Sequence, residues 1–116
     1  MGVEADRVYP VSGTPRPLQI LAHTPYSCRG VPTSAQAVYY TTRSGAGVLA
    51  VGTLRWTCAL ADRCGFELSR RTVRFVERVT ANVLRDFARG PAAARHPARD
   101  NVARFHLPVD NLVPAS

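Results

Sequence analysis

A chain of 116 residues has room for one domain, and a hydrophobic content of 46% is that of an ordinary globular protein, not of a disordered one. All 15 basic residues are arginine against 8 acidic residues, for a net charge of +7; with no lysine, this pattern reads as the coding bias of a GC-rich genome before it reads as a functional signature. No apolar run approaches the roughly 20 residues of a membrane helix, and the opening MGVEADRVYP lacks the basic-then-apolar layout of a secretory leader, so the expected location is cytoplasmic, without a membrane partner.

Residues 1–17 are interrupted by Pro10, Gly13, Pro15 and Pro17, which excludes a helix and predicts an extended arm. Leu18 to His23 is a short apolar run that predicts a strand. Pro25 is expected to end it, and residues 24–34 carry loop punctuation throughout. Residues 37–56 predict a β-hairpin. Val38, Tyr39, Tyr40, Thr41 and Thr42 are β-branched or aromatic, the types that suit a pleated surface. Arg43 to Gly47 supplies a turn with two glycines, and Val48 to Val51 resumes the apolar run before Gly52 and Thr53 to Trp56. Adjacent strand residues point to opposite faces, so Tyr39 and Tyr40 cannot share a pocket. Trp56 is expected as a core or interface anchor.

The stretch from Thr57 to Gly65 carries the chain off the sheet, either as one helical turn or as an irregular crossover. A long helix follows. Ser69 is its expected N-cap, and Val73, Val76, Val79, Val83, Leu84 and Phe87, with Thr80 in the gap, form its apolar stripe. Gly90 and Pro91 stop it. Arg71, Arg74, Arg78, Arg85 and Arg89 lie on the other side, read here as a solvated face. A phosphate-binding face is the competing reading, weakened by Glu77 and Asp86 and by the lack of aromatics assigned to that side. Residues 91–116 break up into a proline-punctuated tail with Val102, Phe105, Leu107, Val109 and Leu112 as anchors, expected to wrap a neighbouring subunit or a missing part of its own polypeptide.

Little in the chain announces chemistry. Cys28, Cys58 and Cys64 are an odd set without a CxxC pair, and reduced thiols are the expected reading. The carboxylates are dispersed, from Glu4 and Asp6 through Asp62, Glu67, Glu77 and Asp86 to Asp100 and Asp110, so acid–base pairing cannot be argued. Gly45-Ala46-Gly47 opens no helix and is a turn, not a phosphate cradle. His23 is read as a structural hydrogen-bonder. No catalytic, cofactor-binding or metal-binding residue is assigned.

Four blocks carry a family resemblance: GVEADRVYP at 2–10, LQILAHTPYSCRG at 18–30, AVYYTTRSGAGVLAVGTLRWTCAL at 37–60 and VRFVERVTANVLRDFARGP at 73–91. Together they resemble the C-terminal end of the large (beta) subunit of N,N-dimethylformamidase and its relatives, with YYTT-SGAG-V-GT-RW the most specific part. The resemblance implies an α/β fold, part of a flavodoxin-type, class I glutamine amidotransferase-like domain. A short strand and a β-hairpin would be covered on one face by the long helix, with residues 1–90 as the domain portion and 91–116 as the tail. It further implies a non-catalytic structural segment. The alternatives are a component of an amidohydrolase that hydrolyses a formamide C–N bond with a separate catalytic portion, and a small arginine-rich nucleic-acid binder. The iron of the resembled enzyme has tyrosine and glutamate ligands outside this region, so no cofactor is expected in this chain. The expected partner is another protein or an upstream portion of the same subunit, with a second copy of the chain as the alternative.

Overall fold

Strands β1 (Leu18–Cys28), β2 (Val31–Thr41) and β3 (Gly47–Ala50) form a three-stranded antiparallel meander in chain order. The computed structural model describes residues 4–61, 65 and 67–109. Helices α1 (Arg55–Ala61) and α2 (Arg70–Phe87) follow, then a short α3 (Ala92–Arg95) and a 3₁₀ turn, Val102–Phe105. The architecture is thus a small α/β arrangement, with the expected strand, hairpin and long helix all present.

The hairpin predicted over residues 37–56 forms from the end of β2 and β3, with Tyr40 opposite Val48 and Tyr39 opposite Leu49. Its second arm is shorter than expected: the chain leaves the sheet after Ala50, and Trp56 stands in α1, not in a strand. Gly52 explains the departure. It has a φ of +71°, and a side chain there would run into the Gln36 carbonyl oxygen of β2, so the backbone folds tightly over its neighbour. The Thr53 hydroxyl then accepts from the Arg55 N–H at 3.2 Å to open α1.

The loop expected at residues 24–34 is instead a second hairpin. β1 continues through Pro25 to Cys28, turns on Arg29 and Gly30, and β2 begins at Val31. Both turn residues have positive φ, +50° and +80°, the signature of a two-residue type I′ turn. Pro25 is tolerated because β1 is an edge strand. The amides of Leu18 and Ile20 face outward, and beyond the irregularity at Leu21 the alternation places the proline nitrogen on that same outer side, where the β1–β2 ladder asks for no donor.

The best-buried cluster lies on the face away from the helices. Leu18 and Ile20 of β1 meet Val8 of the arm and Val102 of the 3₁₀ turn, with Val38, Tyr40, Phe105 and Leu107 packed around them. The arm is stitched down by Asp6 N–H to Gly52 O (2.9 Å) and Gln36 N–H to Asp6 O (3.0 Å). The tail is held by Asp100 and Asn101, which satisfy the outward amides of β1: Leu18 N–H donates to Asp100 Oδ2 at 3.1 Å and Ile20 N–H to Asn101 Oδ1 at 2.7 Å. Residues 98–107 therefore pack on the chain's own sheet, and not on the neighbouring subunit or missing part of the polypeptide that the sequence suggests.

Helix α2 begins as the sequence indicates. The Ser69 hydroxyl accepts from Thr72 N–H at 3.1 Å, and the helix ends at Phe87, with Gly90 and Pro91 just beyond. Its apolar stripe is covered unevenly. Val76 is buried; Val73, Val79, Thr80, Val83 and Phe87 are half-buried; Leu84, placed on the stripe by spacing, is 63% exposed. Trp56 docks α1 onto this helix, its indole N–H donating to Thr80 Oγ1 at 2.9 Å. The helix thus covers only part of the sheet.

Candidate functional site: the cleft between sheet and helix

Because α2 does not close down on the sheet, a cleft of about 520 Å³ opens between them. Leu21, Tyr39 and Leu49 of the sheet form one side and Val83 and Phe87 of α2 the other; Asp86, Arg95, His96 and Arg99 lie at its rim. Leu21 is aimed here by a register shift. Ile20 pairs with Val38 and Ala22 with Ala37, which leaves Leu21 as the extra, 53% exposed residue of a bulge.

Three polar side chains of the rim, Asp86, Arg95 and His96, are engaged with one another. Arg95 Nε lies 3.2 Å from Asp86 Oδ1, and the same guanidinium donates to the Asp86 carbonyl at 2.6 Å and to that of Gly90 at 3.4 Å, so it ties α3 to the carbonyl end of α2. His96 Nε2 is 3.4 Å from the same carboxylate. The hydrogen bond from Arg95 is the main reason that the Asp86 carboxyl is held below its ordinary range. The Tyr39 hydroxyl donates to the His96 carbonyl at 2.8 Å; burial, reinforced by the nearby Asp86 charge, pushes the phenol upward. These are the bonds of a joint, and none presents a free base beside a nucleophile.

A second polar cluster sits under the arm. Gln36 is 3% exposed, and its side-chain amide is fully used. Its oxygen accepts from Val8 N–H at 2.8 Å, so its nitrogen donates to Ser34 Oγ at 2.8 Å and to His23 Nδ1 at 3.0 Å. His23 stacks at 5.3 Å on Phe105 of the tail. It is the hydrogen-bonder that the sequence suggests, placed within β1 and not at its end.

The other singled-out residues are dispersed. Tyr39 lines the cleft while Tyr40 packs on the opposite core, as strand alternation requires. Cys28 and Cys58 are half-buried free thiols, and Cys64, like Asp62 and Asp110, lies outside the described residues. Gly45 and Ala46 lie in the β2–β3 turn and Gly47 opens β3, while Gly45 O accepts from Ala93 N–H at 3.0 Å. Among the described residues no group of three or more His, Cys, Asp or Glu side chains could hold a metal ion, and no helix is long and apolar enough to cross a membrane. Gln36, Arg95, Asp100 and Asn101, which hold the layers together, escaped the sequence reading because polar residues of a loop or central strand leave no periodic mark.

The chain is thus a three-stranded antiparallel sheet with arm and tail on one face and a partly seated helix layer on the other. Residues 1–67 match the family described as N,N-dimethylformamidase beta subunit-like, C-terminal, and with more than half of its length matched the chain belongs to that family. No curated protein and no solved structure matches it. The matched residues take in the arm, the sheet and α1; helix α2 and the tail lie beyond them.

Proposed function

We propose that this chain serves as the C-terminal structural segment of an N,N-dimethylformamidase large-subunit-like protein, providing packing and attachment surfaces but no catalytic group. Family membership supports the setting. The observation that carries the non-catalytic part is the engagement of the charged and polar groups nearest the cleft and the core. Asp86 is tied to Arg95 and His96, Asp100 to Arg16 and the Leu18 amide, and His23 to Gln36. In this reading the meander is the terminal sheet portion of a class I glutamine amidotransferase-like domain, residues 1–90 are its body, and residues 91–116 are an attachment segment. Iron and its ligands belong to another portion of the enzyme.

The test is co-expression with the ligand-bearing portion of a family large subunit, followed by iron analysis and a formamide-hydrolysis assay. The chain alone is expected to hold no stoichiometric iron and to release no amine from dimethylformamide, whereas the reunited pair copurifies. Turnover or iron binding by the chain alone overturns the proposal.

A further inference from the structure

Helix α2 lies beyond the residues that the family match accounts for, and its outer face carries more than solvated charge. Phe75 stands within the arginine stripe of this face. Arg71 is one turn before it, Arg74 directly precedes it and Arg78 is one turn after, so the four share a face. Phe75 is 61% exposed, its ring 6.5 Å from that of Trp56 and nearly perpendicular to it. Leu60, one turn beyond Trp56 on α1, is 44% exposed beside the same seam. The three arginines are all exposed, and among the described residues none forms an ion pair.

Such an arrangement is unfavourable in the chain by itself. Like charges three and four residues apart on a helix repel, by about 0.2–0.5 kcal/mol per pair, and an exposed phenylalanine stabilises nothing it does not touch. Both features become favourable against an acidic surface with an apolar projection. Aromatic residues and arginine are enriched at the centres of protein–protein contacts. A phosphate backbone would use the arginines and leave Phe75, Trp56 and Leu60 uncovered.

We infer that the α1–α2 seam, with Phe75 at its centre and Arg71, Arg74 and Arg78 around it, docks an acidic segment of a partner protein that inserts a large apolar side chain beside Phe75. The inference goes beyond the structural reading above and holds whether or not the assembled protein hydrolyses amides.

Fluorescence anisotropy on the full chain tests it with three labelled probes: a short glutamate-rich peptide with leucine at every fourth position, a polyglutamate peptide of matched charge, and an oligothymidylate. The leucine-bearing peptide is expected to bind about tenfold more tightly than polyglutamate. Phe75→Ser should abolish that preference, and Arg74→Gln with Arg78→Gln should weaken binding and flatten its salt dependence. Arg29→Gln with Arg43→Gln removes equal charge elsewhere and should change little. The substituted side chains at 74, 75 and 78 are exposed, and a far-UV spectrum checks that each variant folds. Equal binding of both peptides, tighter binding of the oligothymidylate, or equal losses from the two arginine pairs would each overturn the inference.

Discussion

Gln36 concentrates the polar logic of the core in one side chain. Its oxygen accepts from the Val8 amide, and its nitrogen bridges Ser34 and His23. Gln36→Leu keeps the volume but strands these donors and acceptors, for an expected loss of about 1–3 kcal/mol, read as a lower urea midpoint. Asp100 acts at the sheet edge. Its carboxyl lies below the ordinary 3.8, foremost because of the hydrogen bond from Arg16 and then through the amides of Leu18 and Val102, while burial opposes the shift. A carboxyl depressed by folding stabilises above its unfolded value and loses that contribution as pH falls through the lower folded value. The native chain should therefore lose stability between about pH 4 and the lower folded value more steeply than Asp100→Asn, measured by thermal melts across that range. The effect should be modest, because the Arg16–Asp100 pair is well exposed. At this scale the sequence was readable where geometry is periodic, as in the opposite placement of Tyr39 and Tyr40. It was silent on Gln36, whose burial depends on an arm nearly thirty residues away in the chain.

Elements with strong local signals formed where those signals stood. The Ser69 cap and the Gly90-Pro91 stop bracket α2 because both act within a single turn of backbone. The β1–β2 hairpin was missed because Arg-Gly is a poor advertisement for a type I′ turn and because Pro25 and Pro32 look like punctuation. Pro25 faces an unpaired edge, and Pro32 lies beyond the reach of β3, so neither breaks a ladder. Two substitutions probe these turns. Arg29→Asn relieves a left-handed conformation that ordinary side chains resist and should raise stability by about 0.5–1 kcal/mol, seen as a higher melting temperature. Gly52→Ala drives a methyl group into the Gln36 carbonyl at a positive φ and should cost about 3 kcal/mol or more, seen as loss of the cooperative transition or of soluble protein.

For the whole molecule, the question is which layer holds it together. The hairpin's apolar residues alternate to both faces, so sequence alone could not say whether the helix or the tail forms the better-buried contact. Val102, Phe105 and Leu107 were legible as anchors, but their berth on the chain's own sheet was not. The helix layer is the weaker attachment, with Leu54, Leu60, Phe75 and Leu84 exposed on it and Leu21 exposed across the cleft. The dimensions agree. The radius of gyration is 15.6 Å, against about 13.4 Å for a compact chain of this length. The accessible surface is 8443 Å², against about 6200 Å² for a compact monomer of this mass. The excess exceeds what one partner contributes to a standard interface, and no described side chain is less than 2% exposed. The outer edge of β1 beyond Leu21 adds a strand that no described strand or loop amide pairs with. The isolated chain is accordingly expected to melt broadly at low temperature and to self-associate at micromolar concentration. Calorimetry and sedimentation velocity check this together: a sharp calorimetric transition from a species that sediments as a monomer would show that the arm and tail alone suffice to hold the fold.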